Sequence, residues 1–411
     1  MANASPEREL FELFELCLDC QVCQGRCALF DELFDESNRV EPLAPRISHL
    51  ASLCSLCGRC TLVCPYQNGK LGTKSLIRPV LALKGAALLE EQKGLKRLFE
   101  RLFWRELPLF LDLARRFGSI SNILLSRPFL RGLLGRLFDL DPKASLPSFS
   151  RASRFQRKPG QSGLKRSSKL TGQKFVVFDS CLTRAFFPDE AQKACALIEG
   201  FGGEAALIQK GCCGMVALER GLEAFAKKRY QRPLLKRFQT AKAEGALKVL
   251  FLEPTCLFAL LSFPEELQAF GIEKTDLLLA SDFLSLVAGN EHSYGGPQSK
   301  VVYQPPCSHD AHLAPGWLKG TFESASVQTL ETTCCGMQGS LGFRKSASEN
   351  RERFVKRFSR ELRMHKDALW VHDCSLCLIL ARSVGKQKSI TRLDILWDLY
   401  SNPTQSKEAI S

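Results

Sequence analysis

The chain has 411 residues, 57 Lys and Arg against 43 Asp and Glu, and 45% apolar residues. That apolar share excludes disorder throughout, and the length exceeds one ordinary domain of about 150 residues, so two or three domains are expected. The longest apolar runs, residues 256–261 and 376–381, fall well short of the roughly 20 residues of a bilayer span, so no transmembrane helix is expected. Met1 to Leu16 carries four Glu and lacks the basic start and apolar stretch of a secretory signal, which makes the expected location cytoplasmic. Eighteen cysteines in a reducing compartment point to metal or redox chemistry and away from disulfides.

In chain order, residues 1–92 hold 9 basic and 12 acidic side chains, 93–174 hold 19 and 5, and 175–411 hold 29 and 26, so the excess of positive charge sits in the middle. Segment one places eight cysteines between Cys17 and Cys64 on short connections, with room for one or two helices. Segment two shows two apolar stripes in helical register, Leu95, Leu98, Phe99, Leu102, Phe103 and then Leu130, Leu133, Leu134, Leu137, Phe138. Arg97, Arg101, Arg131 and Arg136 lie on other faces, and Pro108 and Pro128 punctuate the run, so it reads as basic amphipathic helices. Residues 141–174, rich in Ser, Lys and Arg, read as a linker.

Segment three contains an internal duplication at an offset of roughly 120 residues. Phe175 to Phe178 leads into Cys181, as Val301 to Tyr303 leads toward Cys307. Ala205 to Ile208 and Val327 to Thr329 precede Cys212-Cys213-Gly214-Met215 and Cys334-Cys335-Gly336-Met337, each followed by a charged helical stretch. Val249 to Leu252 runs toward Cys256, and Leu369 to Val371 toward Cys374, with Cys377 one turn later where the first copy has Ala259. Strands alternating with helices, with cysteines at the strand ends, predict two small α/β units with parallel sheets. The expected architecture is thus a mixed α+β and α/β multidomain chain. It comprises a two-cluster ferredoxin-like helical module (1–92), a basic amphipathic helical segment and linker (93–174), and two tandem Cys-Cys-Gly domains (175–295 and 296–411).

Cys17, Cys20, Cys23 and Cys27 form C-x2-C-x2-C-x3-C, and Cys54, Cys57, Cys60 and Cys64, followed by Pro65, repeat it. This is the two-cluster ferredoxin run, in which the fourth cysteine serves the other cluster. Two 4Fe-4S clusters are expected, one on Cys17, Cys20, Cys23 and Cys64, the other on Cys54, Cys57, Cys60 and Cys27. The rival is a pair of structural zinc sites, which would leave the third cysteine of each run without a purpose. Ala28 stands where a proline usually follows the run. The second copy gathers five thiols, Cys307, Cys334, Cys335, Cys374 and Cys377, whereas the first has Cys181, Cys212, Cys213 and Cys256. Adjacent cysteines diverge and do not suit one tetrahedral ion, so a larger inorganic core or two metals is the expected guest of the five-thiol set, with a buried or zinc-binding thiol group as the alternative. For the four-thiol set a further cluster and a buried or zinc-binding thiol group both stay open. Gly214 and Gly336 are expected to turn the backbone closely under the thiols.

These motifs carry a resemblance. Thr255-Cys256-Leu257-Phe258-Ala259-Leu260, Cys334-Cys335-Gly336-Met337-Gln338-Gly339-Ser340-Leu341-Gly342-Phe343, Asp373-Cys374-Ser375-Leu376-Cys377 and Leu146-Pro147-Ser148-Phe149-Ser150 resemble the family of iron-sulfur subunits of anaerobic glycerol-3-phosphate dehydrogenase. More distantly, the order of motifs is similar to the iron-sulfur subunits of heterodisulfide reductase and glycolate oxidase. Ala259 in place of a fifth cysteine resembles that first branch's own pattern. The resemblance implies an electron-transfer subunit that takes electrons from a flavoprotein dehydrogenase and passes them toward membrane quinone, as part of an oxidoreductase complex more than as a self-standing enzyme, with catalytic residues left unknown. In the heterodisulfide reductase relatives, five-cysteine copies hold a noncubane cluster acting on disulfides, which here falls on Cys307, Cys334, Cys335, Cys374 and Cys377. A thiol-disulfide reductase acting there is the rival function.

The basic middle segment is read as a lipid-docking surface that makes the chain peripheral on the cytoplasmic face of the inner membrane, or else as helices packed on the α/β units. Nucleic acid is not an expected partner, because aromatics are scarce among the basic residues. Cys195 reads as a buried small hydrophobe, and His309 and His372 as loop histidines near sulfur. Arg351, Arg353, Lys356, Arg357, Arg360 and Arg363 read as one helix's solvated face.

Overall fold

The computed structural model describes residues 5–35, 42–65, 77–90, 95–144, 146–149, 168–289, 294, 300–309, 313–322, 325–330, 334–384 and 388–401. Most of the expected linker (150–167) and the side chain of Arg97 lie outside the described residues. Segment one is more helical than its cysteines imply, with α1 (Pro6–Cys20), α2 (Ala28–Phe34), α3 (Leu43–Leu53), α4 (Arg59–Val63) and α5 (Ile77–Glu90). The reason is that Cys17, Cys20 and Cys60 are themselves helical residues, so they consume no loop. Ser5 caps α1 by accepting the Arg8 backbone N–H at 3.3 Å, and Pro6 sits in the first turn. At the other end Gln21 takes a left-handed conformation, with its N–H on the Cys17 carbonyl, and ends the helix.

The basic segment forms α6 (Leu95–Arg105), α7 (Leu107–Arg116), α8 (Gly118–Ser126) and α9 (Pro128–Phe138). Phe103 stacks on Phe138 with ring centroids 4.7 Å apart, and the Trp104 indole N–H donates to the Phe138 carbonyl, which clamps α6 on α9. Much of both apolar stripes nevertheless faces outward: Leu98, Phe99, Leu102, Leu133 and Leu137 are exposed, and Phe129 is 81% exposed. Two of the arginines do not point freely to solvent, because Arg101 donates to the Leu88 carbonyl and Arg131 to the Ala144 carbonyl. The start of the expected linker is anchored as well, with Asp141, Ala144 and Phe149 buried and Phe149 packed on Phe186.

The remainder folds as two small parallel sheets. The first unit runs β1 (Lys174–Phe178), α10 (Cys181–Phe186), α11 (Asp189–Gly200), β2 (Glu204–Ile208), α12 (Met215–Glu219), α13 (Glu223–Ala226), α14 (Arg232–Ala243), β3 (Ala246–Phe251), α15 (Pro254–Leu261), α16 (Pro264–Ala269), β4 (Leu277–Leu279) and α17 (Ala280–Ala288). A π-helical turn, Lys227–Gln231, joins α13 to α14. The second runs β5 (Lys300–Gln304), α18 (Leu313–Thr321), β6 (Ser326–Thr329), α19 (Ser348–Met364), β7 (Leu369–His372), α20 (Ser375–Val384), β8 (Ser389–Thr391) and α21 (Arg392–Ser401). The strand orders are β2-β1-β3-β4 and β6-β5-β7-β8, parallel throughout, so the duplication read in the cysteines is a duplication of topology. The closing strands β4 and β8 span three residues each and are too short to show a period in sequence.

Alternation along β1 divides the core. Phe175 and Val177 enter a cluster shared with the second unit, including Tyr303, Trp317, Leu396 and Tyr400. Val176 and Phe178 face the opposite way, into a cluster built with Leu10, Phe14, Phe30, Leu50 and Val80 of the N-terminal helices. The face of α19 read as solvated is partly docked. Arg351 is 7% exposed and paired with Asp141, while Arg357 bonds the Gly25 carbonyl at 2.6 Å and Asp31 at 3.0 Å. Those partners lie 210 and more than 300 residues away, which a helical periodicity cannot reveal. Cys195 is half-buried at the edge of the shared cluster, where the sequence reading expects full burial.

Candidate metal centre

The eight N-terminal cysteines assemble in two groups. α1 supplies Cys17 and Cys20, the left-handed Gln21 starts the turn to Cys23, and Cys64 ends α4. Burial pushes the Cys17 thiol up to about 12, and the thiols of Cys23, Cys64 and Cys20 add to it. Cys27 is held well above its ordinary value by burial and then by Cys57, Cys54 and Cys60. The fourth cysteine of each run therefore faces the first three of the other. Clefts open at both groups, one lined by Cys17, Cys20, Cys23 and Cys64, the other by Cys27, Cys54, Cys57 and Cys60 together with Cys23. Among the described residues no three His, Cys, Asp or Glu side chains converge as ligands of one metal ion. Four mutually repelling thiols around a cleft fit the donor set of an iron-sulfur cube, whose charge offsets the thiolates.

In the second unit Cys307 follows β5, Cys334 and Cys335 follow β6, and Cys374 and Cys377 lie at the start of α20 after β7, so all five gather at the carboxyl ends of the strands. The Cys377 thiol donates to Cys335 Sγ at 3.3 Å, and Cys307 and Cys334 lie side by side in the same cleft. Gly336 has φ +71, its N–H points at Cys334 Sγ at 3.3 Å, and an added Cβ would stand 2.8 Å from Phe354 Cβ. This is the close turn expected of that glycine.

One juxtaposition was not legible in the motifs: Cys57 of the ferredoxin-type run lies beside Cys307 of the five-thiol site, in one cleft. The neighbouring Cys307 thiol, winning against burial, holds the Cys57 thiol below its ordinary value. Cys57, Cys307, Cys334, Cys335 and Cys377 line one cleft together with Arg26 and Arg59. Both arginines immediately precede run cysteines, Cys27 and Cys60, a sequence signal that passed unread.

The first unit brings its four thiols together as a chain, Cys181 to Cys212, Cys212 to Cys213, Cys213 to Cys256, the last three buried and Cys181 half-buried. The hydrogen bond from Cys213 pulls the Cys256 thiol down, but burial and the neighbouring Cys181 and Cys212 win and set it at about 11. Gly214 repeats the left-handed turn with φ +77. Where the fifth thiol is missing, fully buried Gln231, at the end of the π-helical turn, donates its amide to the carbonyls of Cys213 and Ala259, both at 3.2 Å. This unit meets the ferredoxin-type run through Phe258, whose ring lies 2.1 Å from where a Cβ on Gly58 would stand. The two histidines near sulfur serve differently from expectation. His309 Nε2 contacts Asp282 at 2.6 Å, and His372 is fully buried against Trp370, its pKa lowered by burial to about 3.

Residues 175–261, the first unit through α15, match the family model of the CCG cysteine-rich domain. The chain also shows homology to a subunit of the anaerobic glycerol-3-phosphate dehydrogenase of Escherichia coli K12, and equally to its counterpart in Escherichia coli O157:H7. The identity is 24% over 274 residues, covering 64% of this chain and 67% of the relative. Citrate utilization protein B of Escherichia coli is 36% identical over 61 residues, 15% of each chain. No solved structure matches. No helix among the described residues is long and apolar enough to cross a membrane.

Proposed function

We propose that this chain is the iron-sulfur electron-transfer subunit of an oxidoreductase, taking electrons from a flavoprotein dehydrogenase and delivering them toward membrane quinone. Clusters bound at the thiol sets would supply one-electron transfer with little nuclear rearrangement. The observation that carries the reading is that Cys57 and Cys307 line one cleft, which brings the ferredoxin-type pair of sites up to the five-thiol site. In this reading Cys17, Cys20, Cys23 and Cys64 hold one 4Fe-4S cluster, and Cys27, Cys54, Cys57 and Cys60 the second. Cys307, Cys334, Cys335, Cys374 and Cys377 hold a further cluster, and Cys181, Cys212, Cys213 and Cys256 form an additional thiol site. Gly58, Gly214 and Gly336 leave room for Phe258, Ala226 and Phe354 to pack against the cysteine loops. We assign 1–92, 93–174, 175–295 and 296–411 as the structural units.

The donor is taken to be the flavoprotein of a glycerol-3-phosphate dehydrogenase-like complex, in keeping with the dehydrogenase to which the Escherichia coli homologue belongs. Exposed Leu98, Phe99, Leu109, Leu113, Ile120, Ile123 and Phe129, with Arg136 beside them, give the chain a surface for peripheral attachment to the inner membrane from the cytoplasm. A second reading, a thiol-disulfide reductase, is favoured by the cleft that Arg26 and Arg59 line together with Cys307, Cys334, Cys335 and Cys377. Anaerobic purification with iron and acid-labile sulfide analysis and electron paramagnetic resonance tests the proposal. About twelve or more irons per chain are expected, and zinc without a paramagnetic signal would overturn it. Turnover of a small disulfide with an artificial donor, in the absence of membrane, would favour the reductase.

A further inference from the structure

Behind the five-thiol site lies a buried charge cluster that no thiol motif announces. Arg392, the first residue of α21, is fully buried. Its Nε donates to Asp373 Oδ1 at 3.0 Å and its Nη2 to Asp373 Oδ2 at 2.6 Å, a two-pronged grip on the residue just before Cys374. The same Nη2 reaches Asp282 Oδ1 at 2.6 Å and Ser281 Oγ at 3.0 Å at the start of α17. Asp282 in turn holds His309 Nε2 at 2.6 Å, two residues beyond Cys307. Asp373 also accepts the Tyr303 hydroxyl at 2.6 Å, from the strand that leads to Cys307. One guanidinium thus ties the Cys307 and Cys374 loops to each other and to the first unit.

The first unit carries apolar residues at the matching positions. Val371 pairs with Tyr303 and with Ile390, as Leu250 pairs with Val177 and with Leu278. Counting two residues on from each strand position, Asp373 corresponds to Leu252 and Arg392 to Ala280, while Tyr303 corresponds to Val177. Leu252 and Ala280 line the same small cavity as Asp373, between the two units. The duplication therefore diverged at the hub as well as at the fifth thiol.

The geometry points to Arg392 as a positioning residue of the five-thiol site, holding its two cysteine loops in register and supplying the positive charge that balances Asp373 and Asp282 beside them. The inference rests on the reading of that site as a cluster site. A one-electron reduction adds one negative charge there, and a buried guanidinium favours the reduced form, whereas two carboxylates stripped of their counter-charge oppose it.

The test uses the full chain, purified anaerobically, with redox titration followed by paramagnetic resonance. Arg392→Met is expected to alter the spectrum of the five-thiol signal and lower its midpoint. The two ferredoxin-type signals keep their midpoints and serve as internal reference. Arg392→Lys, which keeps the charge and loses the fork, should restore the midpoint more than the line shape. Asp282→Asn, which removes a negative charge, should raise the midpoint and remains readable if Arg392→Met fails to fold. Midpoints that move together for all signals, or not at all, overturn the role. If the wild-type chain yields no iron signal, the cluster reading itself fails. The same variants are then read by hydrogen exchange: faster exchange confined to residues 304–309 and 372–377 upholds the positioning role, and unchanged exchange there overturns it.

Discussion

The two Cys-Cys-Gly units share a strand order and a left-handed glycine under adjacent cysteines, yet they have been put to different uses. The second has five thiols, a buried Arg392 hub and a cleft shared with Cys57. The first has four thiols, an amide from Gln231 where the fifth is missing, and an aromatic contact through Phe258 onto Gly58. The two units share their topology and differ in the polar groups around their thiols. A shared fold thus says little about shared chemistry, which must be argued from each site.

Cys57→Ser gives the largest expected change and breaks the comparison at its root. It should remove roughly four irons per chain and the signal of one ferredoxin-type cluster, and slow reduction of the five-thiol site, while the signal from Cys17, Cys20, Cys23 and Cys64 persists. Unchanged iron content would show the ligand set to be wrong. A smaller effect separates the two glycines. Gly336→Ala meets Phe354 Cβ at 2.8 Å and should cost about 2–3 kcal/mol in denaturant unfolding. Gly214→Ala, whose nearest atom is Ala226 Cβ at 3.2 Å, should cost about 1–2 kcal/mol. Equal costs would mean that the second site's turn is no tighter than the first.

The seam between the units is expected to be pH-sensitive. Burial, and then the charge of Asp394, raises the Glu190 carboxyl from 4.5 to about 8. The folded chain therefore keeps a proton that the unfolded chain releases above 4.5, so stability is full below that value and declines as pH rises toward 8. Glu190→Gln should flatten this slope between about pH 5 and 8 in thermal unfolding, and a slope unaltered by the substitution would place its origin elsewhere. The smallest effect is expected of Ala259→Cys, which restores the fifth thiol to the first unit. Without a hub at Leu252 and Ala280, the resonance spectrum should stay as it was; a new signal resembling that of the second unit would mean that the fifth thiol alone makes the difference.

The runs of cysteine and the Val- and Phe-rich strands were legible because their periods are local: three residues between ligands, two between inward side chains. All six strands expected from the duplication are present. Cys64 lies near Cys17, Cys20 and Cys23, and Cys27 near Cys54, Cys57 and Cys60. The hub of Arg392 was not legible, since Asp282 lies 110 residues away from it and a lone Arg after a short strand looks like a surface residue. Arg351 misled for a similar reason, as its helix is amphipathic by pattern while its partner Asp141 comes from a stretch that reads as linker. Segment two was only half legible: its helices were foreseen, but the outward turn of its apolar stripe depends on what α6 and α9 find to pack against.

The divided faces of β1 have a consequence for synthesis. The helices around the first eight cysteines place Leu10, Phe14 and Phe30 in the same core cluster as Val176 and Phe178, which lie more than 100 residues downstream of Cys64. At ribosomal speeds of about 5–20 residues per second, these thiols spend on the order of ten seconds outside the tunnel before the strand that roofs their helices exists. Cluster delivery, or protection of those thiols by a chaperone, has its natural opportunity in that interval, while the N-terminal segment still waits for its floor.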